Sequence, residues 1–235
     1  MQKQGNAGKI SMALNSKGKP LRQFAYDYIK GKILSCEYEP GVYLNEQQLC
    51  NEMGGISRTP VRDALGRLEQ EGLLNVLPKK GILVSKLKLN DINHIYEVRS
   101  LLEPYTIRRY GSKLDPIKLE RFTEIMGDPD RIVAESYNYY FYDLDDQFHG
   151  FIMNALPNQY LTETYENVNN MNRRIRVLSG NRVENRIRDT FAEHLSIVQA
   201  CLAGDWEGAA DAMAQHLEKA RIVTFQLIAE NQDIF

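Results

Sequence analysis

The segment SRTPVRDALGRLEQEGLL, residues 57–74, limits what this chain can fold into more than any other stretch. Val61, Ala64, Leu65 and Leu68 recur at helical spacing, so the segment predicts a helix with one buried face. Ser57 stands where an N-cap residue belongs, Pro60 falls in the first turn, where a missing N–H costs nothing, and Gly72 marks the end. Arg58 and Arg62 lie four residues apart at the mouth of that helix, on a face beside the apolar stripe, with Thr59 and Gly66 next to them. Two cations at a helix N-terminus oppose the macrodipole, where a purely structural helix more often carries Asp or Glu. A helix built this way is expected to meet an anion outside the protein.

The flanking segments complete a small domain. PLRQFAYDYIKGKILSCEY places Leu21, Phe24, Ala25, Tyr28, Ile29, Ile33 and Leu34 at helical spacing, and Pro40 and Gly41 break it. Asn45 is the expected cap of a short helix, NEQQLCNEM, that stops at Gly54 and Gly55. After Gly72, LLNVL and ILVSKL are short β-prone runs around PKKG, a hairpin tipped by Lys79, Lys80 and Gly81. Three helices and a basic hairpin predict a winged helix-turn-helix over residues 19–87, behind a flexible tail over 1–18. In that architecture the second turn-joined helix enters the major groove N-terminus first. Arg58 and Arg62 then face guanine edges or phosphates, and Ser57 and Thr59 can donate to backbone oxygens. The alternative is that these arginines only solvate a helix end.

Charge divides the chain in the same way. Residues 1–89 hold 14 Lys and Arg against 8 Asp and Glu, while residues 90–235 hold 15 against 23. A basic front and an acidic back suggest two domains with different partners. No run approaches the ~18 apolar residues that span a bilayer. The first 20 residues carry lysines without an apolar core, so no secretory signal is expected. Cys36, Cys50 and Cys201 are scattered and odd in number, which points to reduced thiols and a cytoplasmic location.

The block LNEQQLCNEMGGISRTPVRDALGRLEQEGLL resembles the DNA-binding domain of the GntR family of bacterial transcription regulators, over about residues 20 to 87. The resemblance implies DNA contacts from Ser57, Arg58, Thr59 and Arg62 and from a wing tip at Lys80 and Gly81. Two departures stand out. The turn MGGIS is one residue longer than the usual spacing, and Gln47 and Gln48 occupy the region where some relatives place an arginine.

From residue 90 onward no strand pattern appears. Helical segments are expected over about 90–111, 115–126, 130–156, 158–180, 183–203 and 206–231, starting at Asn90, Asp115, Asn158 and Asp205 and stopping at Gly180 and Gly204. The fold class is therefore mainly α: a winged helix-turn-helix, then an all-α antiparallel bundle of about six helices over 90–232. Pro104 predicts a kink or break in the first bundle helix.

Three of the chain's four histidines fall on these helices at positions compatible with the interior. DDQFH puts Asp145 and His149 four residues apart on one face, and His194 and His216 come from two later helices. One carboxylate and three neutral imidazoles suit a divalent ion such as Zn²⁺, with Ni²⁺, Fe²⁺ or Mn²⁺ as alternatives. By spacing alone, an isolated histidine is more often a packed core or surface residue, as His94 is read here. The helical region, however, resembles the FCD ligand-binding domain of the FadR-type GntR regulators. That resemblance implies a divalent metal on Asp145, His149, His194 and His216, with open positions for a small carboxylate effector. Arg99 stands where relatives often face the effector cavity; a salt bridge to Glu103, four residues on, competes with that role. Of Arg173, Arg174 and Arg176, most are expected to be solvated, and none is singled out.

The leading reading is a ligand-responsive regulator that binds double-stranded operator DNA as a homodimer, since two-fold operators mirror two-fold proteins. The alternatives are a metal sensor without an organic effector, a purely structural ion, or a metalloenzyme with a DNA-binding appendage. Against the enzyme, there is no HExxH and no Gly-rich nucleophile turn, and Glu193 points about 100° away from His194 around its helix.

Overall fold

The N-terminal part builds α1 (Leu21–Leu34), β1 (Tyr43–Leu44), α2 (Glu46–Glu52), α3 (Arg58–Gln70), β2 (Leu74–Leu77) and β3 (Gly81–Val84). This computed structural model describes residues 18–128, 138–179 and 184–229. The chain divides into two compact units, Met1–Leu87 and Lys88–Phe235. In the first, Ala25, Ile29 and Ile33 of α1 and Leu49 of α2 are buried, as are Val61, Ala64, Leu65 and Leu68, the whole expected stripe of α3. On α1 the expectation fails at Leu21, which is 43% exposed, and it misses Tyr26, which is buried. The Tyr26 hydroxyl donates to Glu71 at 2.6 Å and Arg67 stacks over the ring at 3.7 Å. A satisfied polar tip lets tyrosine take a core position.

Asn45 caps α2 by accepting from the backbone N–H of Gln47 at 2.7 Å. Gly54 and Gly55 both take left-handed backbone, φ 79° and 78°, and the Gly55 N–H closes on the Cys50 carbonyl at 2.8 Å. Only glycine takes two such residues in succession without strain, which is how the longer turn is accommodated. Ser57 holds the N-cap position of α3, but its side chain makes no capping bond. The wing pairs β2 with β3, Leu77 opposite Gly81, and β1 adds to the other edge of β3. That third strand is two residues long, too short to show a period. A Cβ at Gly81, where φ is 109°, would stand 3.0 Å from the Leu44 carbonyl oxygen, so glycine lets β1 close on β3.

The second unit contains α4 (Leu89–Tyr110), α5 (Pro116–Met126), α6 (Asn138–Met153), α7 (Gln159–Ser179), α8 (Glu184–Leu202) and α9 (Trp206–Ala229). Helix α4 packs on α6, α7 and α9, and α8 packs on α5 and α9. Phe122, Leu144, Phe148, Ile152, Phe191, Ile197, Met213 and Leu217 fill the core between them. Asp115 and Asn158 cap α5 and α7, and Asp205 accepts from the Gly208 N–H. Helix α4 is capped at Lys88 rather than Asn90, its N–H bonded to Asp91 at 3.0 Å. It runs unbroken through Pro104. Tyr96 ties it to Thr224 of α9 before the proline and Thr106 reaches Met153 of α6 after it, so packing on both sides outweighs one lost hydrogen bond. Helix α6 stops at Met153 instead of 156 because Leu156 precedes Pro157, which disfavours helical backbone. The expected tail up to residue 17, the start of the helix assigned to 130–156, the stop at Gly180, the start at 183 and the end of the last helix beyond 229 lie outside the described residues.

Candidate DNA-reading face and metal centre

Two places gather the singled-out residues, one in each unit. In the first unit Ser57, Arg58, Thr59 and Arg62 are all exposed at the head of α3. Arg58, Arg62, Lys79 and Gly81 line one groove of about 690 Å³ between α2, α3 and the wing. Lys80 is exposed at the hairpin tip, and Lys79 beside it has left-handed backbone, φ 64°. The arginines do not stand free. Arg62 Nε donates to Glu46 at 2.8 Å, and Arg58 Nη2 donates to Gln47 Oε1 at 2.8 Å. Gln47 of α2 thus holds an arginine of the next helix.

In the second unit His149 of α6, His194 of α8 and His216 of α9 converge, all buried, with ligand atoms within 4.8 Å of one another. The Nε2 atoms of His194 and His216 are 3.2 Å apart. Asp145 Oδ1 lies 3.7 Å from His194 Nε2 and 3.8 Å from His149 Nε2. Such separations suit atoms that share one divalent ion at about 2.0–2.2 Å. The four residues picked by spacing are therefore brought together, from three helices.

Two carboxylates that spacing did not assign to the site orient the imidazoles. His149 Nδ1 donates to Glu103 Oε2 at 2.6 Å, and His216 Nδ1 donates to Glu193 Oε2 at 2.7 Å. Each bond fixes the tautomer that turns an unprotonated Nε2 to the centre, the usual support for a metal-binding histidine. His149 Nε2 is buried and has no hydrogen-bond partner among the described residues. Leaving such an atom unpaired costs about 1–3 kcal/mol, so the donor set fits a cation. Burial disfavours the charged imidazole at all three sites. It lowers His149, outweighing Glu103; it brings His216 down to about 4 despite Glu193; and, with the neighbouring imidazoles, it puts His194 well below the ordinary range. All three are then neutral, and able to ligate, at pH 7.

Arg99 makes the salt bridge to Glu103 that competed with an effector role, Nε to Oε1 at 2.7 Å, with both side chains buried. Burial alone would raise the Glu103 carboxyl, but Arg99 and His149 hold it well below the carboxylate range. The Tyr165 hydroxyl donates to the same oxygen at 3.0 Å. The bridge leaves Arg99 Nη2 buried and without a partner among the described residues. The arginines of α7 are a correction: Arg174 is fully buried, and Arg173 and Arg176 are only 18% and 13% exposed. Arg176 pairs with Asp145 and Asp146, and Arg173 with Asp146 at 2.6 Å. Acidic partners on α6 turn them inward. On the face of α7 that carries Tyr165 and Arg176 lies Asn172, buried, with neither end of its amide bonded among the described residues.

Comparison with known proteins assigns both units. Residues 21–84 match the model of bacterial regulatory proteins of the gntR family, and residues 94–219 match the FCD domain. The chain belongs to the GntR family, with an FCD domain. This GntR protein is 26% identical over 216 residues to the HTH-type transcriptional repressor RspR of Escherichia coli K12, covering 92% of this chain and 94% of that one. It is 30% identical over 204 residues to an HTH-type transcriptional regulator from an unstable DNA locus of Streptomyces ambofaciens, covering 85% and 83%. Among solved structures, E. coli McbR/YncC superposes with a TM-score of 0.77 at 20% identity, over 88% of this chain and 98% of that chain. The metal-free FCD domain of TM0439 superposes with a TM-score of 0.52 at 22% identity, over 62% and 99%. At these identities the structures show a shared fold. Among the described residues, no helix is long and apolar enough to cross a membrane.

Proposed function

We propose that this transcriptional regulator changes its grip on operator DNA when a small carboxylate binds a divalent metal in the FCD domain. The observation that carries the reading is the convergence of Asp145 and three neutral imidazoles near Arg99, which shares Glu103 with His149. Arg99 Nη2 and the Asn172 amide are buried and unbonded among the described residues. Arg99 lies close enough to lower the affinity of all three imidazoles for a proton. A carboxylate with a further polar group would satisfy such atoms, and an arginine edge is the protein's best match to a carboxylate. A bound ion, Zn²⁺ or alternatively Ni²⁺, Fe²⁺ or Mn²⁺, supplies positive charge and open positions for that anion. Arg99 and Asn172 orient the rest of the molecule. Residues 19–87 dock on DNA through Ser57, Arg58, Thr59, Arg62, Lys80 and Gly81. Two copies together address a two-fold operator. Nothing in this scheme requires turnover, and the role is regulation rather than catalysis.

The test is metal analysis of the purified protein with His194→Ala beside it. The wild type should carry one divalent ion per chain. The variant should lose it while the DNA-binding unit keeps its own fold and cooperative melting. Stoichiometric metal retained by His194→Ala would refute the ligand set.

A further inference from the structure

Glu46 is one of two acids in the wall of the groove that Arg58, Arg62 and Lys79 line; the other, Glu69, already accepts from the Val76 N–H at 2.7 Å. Glu46 occupies the first turn of α2, its side chain 26% exposed, within residues 1–89, where Lys and Arg outnumber Asp and Glu. A carboxylate there repels phosphates and weakens binding to any DNA, so its presence calls for a compensating role. Both of its oxygens face the arginines of α3. Oε2 accepts from Arg62 Nε at 2.8 Å, while Oε1, buried and without a hydrogen bond among the described residues, lies 3.5 Å from Arg58 Nε.

The two arginines are held differently, and the difference is chemical. Among the described residues Arg62 is gripped at Nε alone, which leaves Nη1 and Nη2 together as an end-on fork. Two parallel N–H groups are what guanine O6 and N7 accept. Arg58 has Nη2 occupied by Gln47 as well, so it lacks that fork and suits a phosphate oxygen. We infer that Glu46 is a positioning residue for base readout: it fixes Arg62 as an end-on guanine reader and lowers non-specific affinity while doing so. The inference rests on the docking of α3 in the major groove.

Selection of bound duplexes from a randomised library by the full-length protein tests it, with wild type, Glu46→Ala, Glu46→Gln and Arg62→Lys compared. The wild type should enrich a G·C pair at one position of each half-site. Arg62→Lys and Glu46→Ala should both lose the preference at that same position. Glu46→Ala should also bind unrelated duplex more tightly than wild type, so that the ratio of specific to non-specific affinity falls roughly tenfold or more. Glu46→Gln, which keeps an acceptor for Nε but no charge, should retain part of the preference. An unchanged enriched sequence for Glu46→Ala would overturn the inference, as would a loss at a different position from Arg62→Lys or an equal loss on all duplexes. If Arg62→Lys itself leaves the enriched sequence untouched, the docking of α3 fails, and this role of Glu46 with it.

Discussion

At the scale of single residues, the DNA-reading face separates into groups that hold position and groups that carry sequence information. Arg62 keeps both Nη groups unbonded among the described residues, whereas Lys80 is an exposed point charge at the wing tip. Replacing Arg62 with Ala should weaken specific binding roughly 5- to 150-fold and relax the preference at one base pair. Titration on a cognate and a singly altered duplex checks this, and equal affinity for both variants of the protein would remove Arg62 from the interface. Lys80→Ala should instead lower affinity for all sequences and reduce the slope of log K against log salt by about 0.9 for each subunit bound. A loss confined to one base pair would mean that the wing reads bases. The Ser57 hydroxyl, which caps nothing in its own helix, remains available for a phosphate.

At the scale of helices, His149, His194 and His216 are held as neutral donors, and this links stability to pH. In metal-free protein, the unfolded chain protonates its histidines below about 6.5. The folded bundle resists, with His216 titrating only near about 4. The unfolded state then binds more protons, so stability falls as pH drops from about 6.5 towards about 4. Melting of chelator-treated protein at pH 7 and pH 5 should show a lower transition at the lower pH. Equal transitions would contradict the burial of neutral imidazoles. The helices and the Asp145–His149 pair were legible because helical period, caps and a four-residue interval are local properties of the chain, whereas joining His194 and His216 to that pair took the resemblance to the FCD domain. Glu103 and Glu193 were not legible. They meet His149 and His216 from 46 and 23 residues away, and that pairing is decided by how α4, α6, α8 and α9 pack. The inward turn of Arg176 has the same origin, since its charge is satisfied by acids of another helix. Tyr26 was passed over because its burial depends on partners in α3 and just beyond it.

For the whole molecule, regulation requires that an effector bind one arrangement of the protein better than another, and it can shift the balance only by that difference. In the proposed scheme a metal that anchors a carboxylate makes the effector's affinity conditional on the ion, and Arg99 selects among acids. This separates an effector-responsive regulator from a metal sensor, in which the ion alone changes DNA affinity, and from a bundle in which the ion only joins helices. The deciding measurement is thermal denaturation of the full-length protein against a panel of small carboxylates, with and without a chelator. One class of acid should raise the melting temperature of the metal-loaded protein, and the chelator should abolish that rise. If no acid shifts the metal-loaded protein while chelation by itself lowers its melting point, the ion is structural or is itself the signal, and the effector-anchoring account is wrong.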